Sequence, residues 1–330
     1  MSRSRNQQAR NWMPWLVGMA ALTTVVTLGL RFSEGRAFLE IAARAQPGWL
    51  LVGAVLQAGT YVTEGAIWFV ISATATSRLR FGTTTRISLA KLFVDQALPS
   101  AGLSGSMVTV SALRAHGVPR RTVAAAIGLE CAGFHSAHAM ALSAALVLGL
   151  SLGRVNPLLM VGAVLFVLVS ISAAVGIVVV AGGAWRPWVW VRRITPISRL
   201  LKFLKGANRR LVRSPRLLAV TIGLQLLIIA LDTATMLAVI RSLGATVPTA
   251  GVFLSFMTSS LLRTVGVVPG GLGTFDASSL VTLRMAGATL PVALSATLLF
   301  RGLSYWLPLL PGLWYARRLT KRQDVTASTS

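Results

Sequence analysis

The sequence predicts an all-α polytopic membrane protein with about six transmembrane helices, two re-entrant broken helices and an inverted-topology repeat. Of its 330 residues, 54% are hydrophobic and 12% are charged, and the mean hydropathy is +0.71. A soluble domain carries about 25% charged residues, so this composition excludes an ordinary soluble protein. Apolar runs long enough to cross a bilayer recur along the whole chain, which leaves no room for a large soluble enzyme.

Six uninterrupted apolar runs are each close to or above the ~20 residues that a helix needs to cross the hydrocarbon core. The first run follows three arginines and has no small-residue cleavage site behind it, so we expect a retained helix rather than a signal peptide. Tryptophan and tyrosine lie at several of the ends, as is typical of membrane interfaces. The predicted spans are Trp12–Leu30, Gly48–Ala73, Thr122–Leu150, Pro157–Ala181, Leu217–Ile240 and Pro291–Trp314.

Two further apolar segments, Ile87–Leu113 and Thr249–Leu283, are interrupted by proline and glycine. The first break, residues 98–105, reads Leu-Pro-Ser-Ala-Gly-Leu-Ser-Gly, and the second break, residues 268–273, reads Val-Pro-Gly-Gly-Leu-Gly. Proline and glycine cannot continue a regular helix there without loss of backbone hydrogen bonds. About eleven residues remain after the first break, which makes ~16 Å of helix, or half a bilayer. We therefore predict two re-entrant hairpins, although the stretch before the second break is long enough to cross by itself.

The distribution of positive charge predicts that both termini lie in the cytoplasm. If each hairpin returns to its own side, 23 of the 32 Lys and Arg residues fall in cytoplasmic segments and six fall outside, as the positive-inside rule requires. The net charge of +24 then reflects topology rather than binding to nucleic acid. The predicted organisation is a cytoplasmic tail (residues 1–11), a single membrane domain (12–316) with a basic cytoplasmic loop (182–216), and a cytoplasmic tail (317–330).

A shift of 170 residues superposes several landmarks of the chain. Pro99 falls on Pro269 and Arg114 on Arg284, and the order of span, broken segment and span recurs. The predicted repeats cover about residues 48–150 and 217–316. Because their broken segments open from opposite sides, they form an inverted-topology repeat, in which the site lies near the midplane where the broken helices meet.

Five of the eight acidic residues and three basic residues lie inside hydrophobic segments. A charge at the bilayer centre costs at least ~2.5 kcal/mol, so we expect these side chains to face a wet cavity or one another. Glu130 and Arg301 come from corresponding spans and are predicted to pair, either as a lock of the fold or as a docking place for a charged headgroup. The eight residues are Glu64, Lys91, Asp95, Glu130, Asp232, Arg263, Asp276 and Arg301.

The other charged residues have structural and functional interpretations. Lys91 and Asp95 are spaced i, i+4 and can simply neutralise one another on one helix face. Glu64 and Asp232 fit structural pairs or hydrogen-bond anchors better than ligand contacts. Asp276 directly follows the second break, where a carboxylate can cap a helix, contact a ligand, or do both.

The sequence lacks the common motifs of nucleotide-binding and hydrolytic enzymes. It contains no Walker loop, nucleophile elbow or His-Glu-x-x-His motif, so we expect no enzyme activity and no cofactor. His135 and His138 lie near Glu130 on one helix, but this spacing supplies too few ligands for a metal site. Helix packing or a proton path fits the two histidines better.

Residues 268–276, Val-Pro-Gly-Gly-Leu-Gly-Thr-Phe-Asp, resemble the Pro-Gly-Gly-Leu-Gly-x-x-Glu signature of the lysylphosphatidylglycerol synthase transmembrane-region family of flippase-like proteins. Residues 299–308 are similar to the Arg-x-x-x-Tyr-Trp-x-Pro stretch of that family, and Leu98-Pro99 and Leu129-Glu130 match its first half. The resemblance covers about residues 15–316. Asp276 stands where the family usually has Glu, Cys131 stands where Arg is common, and Gly105-Ser106-Met107 replaces part of a Gly-Glu-x-x-Arg pattern.

The resemblance implies a flippase in the bacterial inner membrane that moves a polar-headed phospholipid or glycolipid between leaflets by alternating access. The synthase domain of bifunctional members is not in this sequence, so we expect transport without synthesis. The expected partners are membrane lipids, above all anionic phospholipid or glycolipid, and no nucleic acid. The alternative is a non-transporting scaffold or subunit beside a lipid-modifying enzyme. The candidate site residues are Glu130, Arg301, Asp276, Arg263, Asp95, Pro99, Pro269, Gly270, Gly271, Gly273 and Tyr305.

Overall fold

The fold comes from a computed structural model and is entirely helical where it is described, with no strand among those residues. This confirms the predicted all-α membrane class. The predicted first span, both tails and most of the basic loop lie outside the described part. The described residues are 45–74, 79–97, 103–153, 157–183, 202–265, 271–309 and 311–315.

Nine longer helices follow one another along the described part of the chain. A single helical turn, Arg209–Val212, precedes the sixth, and a π-helical turn, Gly302–Trp306, continues the ninth. The helices are α1 (Pro47–Ala73), α2 (Phe81–Ala97), α3 (Leu103–Ala115), α4 (Arg120–Ser151), α5 (Pro157–Ala181), α6 (Pro215–Ser242), α7 (Thr249–Val265), α8 (Thr274–Met285) and α9 (Leu290–Arg301).

Five helices of the described part are long and apolar enough to cross a membrane. They are α1, α4, α5, α6 and the candidate span Leu290–Tyr315, which begins with α9. Five of the six predicted spans are thereby confirmed to within a few residues at each end, and α5 has the predicted bounds. The predicted sixth, Trp12–Leu30, lies outside the described residues.

The two broken segments each fold as a pair of shorter helices. α2 packs against α3, and α7 packs against α8. These four helices have 17, 13, 17 and 12 residues, fewer than the ~20 needed to cross the hydrocarbon core. At Gly251, an added Cβ atom would lie 2.8 Å from the Cβ of Ala286, so small residues bring α7 and α8 close together.

The order of span, helix pair and span occurs twice, as α1, α2–α3, α4 and again as α6, α7–α8, α9. The first spans of the two sets pack side by side and antiparallel, because Gly53 faces Val239 and Gly59 faces Leu231. At one end of this contact, the backbone N–H of Gln46 donates to the carbonyl of Ser242 at 2.7 Å. The first helix pair therefore follows the end of α1 that lies away from Ser242, while the second follows Ser242 itself.

Two hydrophobic clusters form the core, and a polar layer separates them along α4. One cluster reaches Leu129 and the other begins at Ala137, with Glu130 and His135 between them. α5 exposes large apolar side chains such as Leu165 and Leu168 along its outer face. Such a face suits contact with acyl chains, so the bundle has apolar ends, an apolar outside and a polar middle.

The π-helical turn after Arg301 follows from Pro308. Proline has no backbone N–H, so carbonyls one turn earlier lose a donor. Side chains of α1 and α2 supply the missing donors: Tyr61 Oη donates to the Leu303 carbonyl at 2.9 Å, and Gln96 Nε2 donates to the Ser304 carbonyl at 3.2 Å. The irregular turn is thus attached to α1 and α2 by specific hydrogen bonds.

Replacement of Gly65 with alanine tests the close approach of α1 to α2. A Cβ atom there would lie 2.8 Å from the Cα of Thr85, so the backbone has to move, and overpacking of this kind costs about 1–3 kcal/mol. Gly223→Ala in α6 is the matched control, because nothing lies within 4 Å of its Cβ position. We expect Gly65→Ala to lower the melting temperature in detergent and Gly223→Ala to preserve or raise it. Equal melting temperatures would contradict the α1–α2 packing.

Candidate translocation site

Lys91 is the centre of an ion-pair group that joins three helices. Its Nζ lies 2.9 Å from Glu64 Oε1 on α1, 3.3 Å from Glu130 Oε1 on α4 and 3.9 Å from Asp95 Oδ2 on α2 itself. The predicted i, i+4 contact of Lys91 with Asp95 is therefore present, but it is the longest of the three. The side chains of Lys91, Glu64 and Asp95 remain 16–20% accessible. One cation faces three carboxylates, so the group is acidic when all its members are ionised.

Asp95 also connects the two helices on either side of the first break. Its Oδ1 accepts the backbone N–H of Gly105 in the first turn of α3 at 2.9 Å. A side chain at Gly105 would collide with the Asp95 carboxyl group, so glycine is needed at this position. A carboxylate at a helix N-terminus is favourable because free N–H groups point toward it. Asp95 thus fixes the first helix pair as well as neutralising Lys91.

Arg301 and Asp276 form a second, buried ion pair. Arg301 Nε donates to Asp276 Oδ1 at 2.9 Å, and Arg301 Nη2 donates to the carbonyl of Gly271 at 2.8 Å. The guanidinium also lies 4.6 Å from the ring centre of Phe275 and 5.4 Å from that of Tyr305. Asp276 is fully buried and Arg301 is 5% exposed, so both side chains are occupied by protein contacts.

The second break is held by glycine geometry and by the Asp276 carboxylate. Gly271 and Gly273 have positive φ angles of 64° and 80°, a region that side chains other than glycine rarely adopt. Asp276 Oδ2 accepts the backbone N–H of Gly273 at 2.8 Å and so caps α8. The predicted capping role of Asp276 is confirmed, and the same carboxylate binds Arg301.

The predicted direct pair between Glu130 and Arg301 is wrong. Glu130 pairs with Lys91, and Arg301 pairs with Asp276. The reason is that each helix pair supplies a charged partner to the span that follows it. Lys91 on α2 reaches Glu130 on α4, and Asp276 on α8 reaches Arg301 on α9. The interpretation of a central ion pair as a lock of the fold therefore applies to Asp276 and Arg301.

Arg263, in the last turn of α7, is an exposed cation of the site. Its side chain is exposed and makes no hydrogen bond or ion pair with another residue of the described part. Its aliphatic portion lies against the Cα of Gly271, where a Cβ atom would collide with it. Asp232 and Arg301 lie within electrostatic range of its guanidinium. Asp232 accepts a hydrogen bond from Gln57 Nε2 at 3.1 Å, which fits the predicted anchor role.

The two breaks approach the same short stretch of the last span. Gln96 lies just before the first break, and its carbonyl accepts a hydrogen bond from Tyr305 Oη at 3.2 Å. The carbonyl of Gly271, in the second break, accepts a hydrogen bond from Arg301, which lies four residues before Tyr305. Tyr305 is 1% exposed, so this contact lies inside the bundle. The residues that flank the two breaks are thus joined through the stretch from Arg301 to Tyr305.

Three predicted site residues, Pro99, Pro269 and Gly270, lie outside the described residues. The charge-based prediction missed the uncharged polar residues of the site, which are Gln57, Tyr61 and Gln96. A signal for them exists in the sequence, because a glutamine inside an apolar segment is costly unless it is hydrogen-bonded. A prediction based on ionisable groups alone leaves such glutamines out.

A double-mutant cycle tests whether Asp276 and Arg301 form a structural pair. Asp276→Asn and Arg301→Gln each leave an uncompensated buried charge, which costs about 3–5 kcal/mol. The double variant leaves none, so we expect it to be less destabilised than the sum of the single variants. The measurement is thermal unfolding in detergent, with Arg284→Gln at the exposed end of α8 as the control that changes little. Additive losses would show that the two side chains are independent.

Comparison with known proteins agrees with this architecture. Residues 15–312 match the family model described as the lysylphosphatidylglycerol synthase TM region. No curated protein matches the chain. The family match extends from the predicted first span into the last one and includes both ion-pair groups. The chain therefore belongs to the lysylphosphatidylglycerol synthase transmembrane-region family and is a multi-pass membrane protein related to lipid handling.

Proposed function

We propose that the protein is a flippase that moves a polar-headed phospholipid or glycolipid between the leaflets of the bacterial inner membrane. It acts as a transporter, without an enzymatic step and without a cofactor, and its partners are membrane lipids. The physical obstacle to such movement is the headgroup, because a charged group in hydrocarbon costs several kcal/mol. A protein lowers this barrier when it presents polar side chains along a path through the bilayer.

The observation that carries this proposal is Arg263. An arginine inside a membrane domain is costly, and the neighbouring Arg301 shows how the fold satisfies one by burial against a carboxylate. Arg263 is instead an exposed residue next to the second break, and no salt bridge joins it to a carboxylate of the described residues. An arginine fork binds phosphate oxygens in a bidentate manner, so Arg263 suits the phosphate of a lipid headgroup.

The Lys91 group, which has more carboxylates than cations, supports the same function by offering negative charge where Arg263 offers positive charge. Its accessible carboxylates suit an amine or the hydroxyl groups of a sugar, while Arg263 suits a phosphate. Asp276, Arg301 and Tyr305 are buried, and we assign them a supporting role in holding the breaks. Glu130 and Asp95 remain in the path through their contact with Lys91.

Alternating access is the mechanism that the repeated architecture favours. The two helix pairs follow opposite ends of the antiparallel α1–α6 contact, which supports hairpins that enter the membrane from opposite sides. We propose that both are re-entrant, that the repeats have inverted topology, and that both termini are cytoplasmic. Rocking of one repeat against the other then exposes the polar centre to each leaflet in turn.

Lipid movement in reconstituted vesicles tests the proposal through Arg263. Arg263→Gln removes a charge-assisted contact worth about 1.5–3 kcal/mol, so we expect transport of fluorescent phosphatidylglycerol to slow about 10- to 100-fold. The stability of the variant should not change, because Arg263 makes no ion pair in the described part of the fold. The measurement is the rate at which labelled lipid becomes accessible to a membrane-impermeant quencher.

Arg284→Gln, which also removes one accessible arginine but far from the two breaks, is the matched control and should transport at the wild-type rate. If wild-type protein moves no more lipid than protein-free vesicles, the flippase proposal is wrong and the alternative of a non-transporting scaffold or subunit is favoured. If wild-type protein transports and Arg263→Gln is unimpaired, the assignment of the headgroup contact to Arg263 is wrong.

A further inference from the structure

An apolar cavity of about 440 Å³ lies between α4, α5, α7 and α8, apart from both ion-pair groups. Its volume falls within the ~300–1,000 Å³ that ligand sites commonly have. Aliphatic and small side chains dominate the lining, among them Leu142, Ala145, Met160, Leu254 and Met285. Of the three hydroxyl groups in the wall, those of Ser255 and Thr282 bind one another at 2.7 Å, and the third belongs to Thr258. The wall is therefore suited to hydrocarbon.

The cavity is elongated along the helices. On α4 and in the turn that follows it, the lining residues recur with the spacing of a single helix face and run from Leu142 to Gly153. That stretch covers about 16 Å of helix, which is half of the ~30 Å hydrocarbon core. On α7, the lining runs from Gly251 to Leu261, close to the end of the helix at Arg263. The cavity thus has the length of one acyl chain in one leaflet.

Polar residues of α4 follow the inner end of this cavity, just beyond its lining. The α4 face that lines it continues one and two turns earlier with His138 and His135. Nδ1 of His135 is a buried atom without a hydrogen-bond partner among the described residues, and Nδ1 of His138 contacts the Phe134 carbonyl at 3.1 Å. Arg263 lies within electrostatic range of His138. Imidazole nitrogens therefore follow the apolar wall along α4, and the Arg263 guanidinium is close enough to His138 to interact with it electrostatically.

We propose that this cavity holds one acyl chain of an anionic phospholipid whose phosphate lies at Arg263 and His138. The inference rests on the proposed flippase function and names the lipid class and the chain subsite. The charge at the inner end selects this occupant, because a neutral hydrocarbon gains nothing from a guanidinium whereas a lipid phosphate does. The apolar burial of the chain offsets part of the cost of bringing the headgroup to mid-depth.

The orientation of the bound lipid indicates the leaflet from which it comes. The polar end lies toward the middle of α4, and the apolar end lies toward Ser151, where α4 ends. A lipid held in this way has its chain pointing from the headgroup toward the Ser151 side. Lipids of the leaflet at the Arg120 end have that direction, so this state accepts a lipid from that leaflet before it turns over.

Lipid binding to the purified full-length protein tests the site separately from transport. Native mass spectrometry measures the binding of phosphatidylglycerol and of diacylglycerol with the same chains. Ala145→Phe fills the cavity and should weaken both about tenfold, while Arg263→Gln should weaken only phosphatidylglycerol. Met140→Phe, on the outward face of the same helix, is the matched control and should bind both lipids as the wild type does. Unchanged binding to Ala145→Phe would overturn the site.

A second measurement needs no variant. Phosphatidylglycerol with a photoreactive diazirine at its chain end should label α4 between Leu142 and Gly153 in the wild-type protein. Labelling confined to the outer face of α5, around Leu165, would overturn the proposal. If the label reaches α4 but vesicles show no lipid movement, the site stands and the flippase function fails. If vesicles transport lipid but Ala145→Phe binds normally, the function stands and this subsite fails.

Discussion

The hydrogen bonds of the buried Arg301 guanidinium are the contact on which the centre of this protein depends. They attach the last span to Asp276 and to the carbonyl of Gly271, so the glycine-rich second break is held against the middle of the bundle. The π-helical turn that follows Arg301 lacks the backbone donor of Pro308 and takes hydrogen bonds from Tyr61 and Gln96 instead. One short stretch of one helix thereby joins the second break to the end of the first.

The two sets of span, helix pair and span carry charges of opposite sign on their last spans. Glu130 on α4 is neutralised by Lys91, and Arg301 on the last span is neutralised by Asp276, so each finds its partner within its own set. What remains is an accessible acidic group in the first set and the exposed Arg263 in the second. The buried pair of Asp276 and Arg301 thus serves the fold alone, whereas the Lys91 group both joins helices and remains partly accessible.

Much of this architecture could be predicted from the sequence because the bilayer imposes simple constraints. The length and apolarity of a span are local properties, so the bounds of Pro157–Ala181 could be predicted to the residue. The capping of α8 by Asp276 was predictable for the same reason, since a cap acts over one helical turn. The position of each break follows directly from proline and glycine.

Side-chain partners across helices were harder to predict, because they depend on how helices pack. The sequence places Glu130 and Arg301 in corresponding spans, but membership of corresponding spans does not bring two side chains into contact. Lys91 was visible only as a neighbour of Asp95 at i, i+4, although its shortest contact is with Glu64 on another helix. The π-helical turn had one signal in the sequence, Pro308 inside a predicted span.

The chemical accessibility of Arg263 is the most direct test of a polar path, because such a path requires water at that depth. In a Cys131→Ser background, Arg263→Cys should react with a charged, membrane-impermeant thiol reagent in intact membranes. Met236→Cys, which is fully buried, and Leu165→Cys, which faces the surrounding hydrocarbon, should not react. If Arg263→Cys is as unreactive as Leu165→Cys from both sides of the membrane, Arg263 lies in lipid and the polar path does not exist.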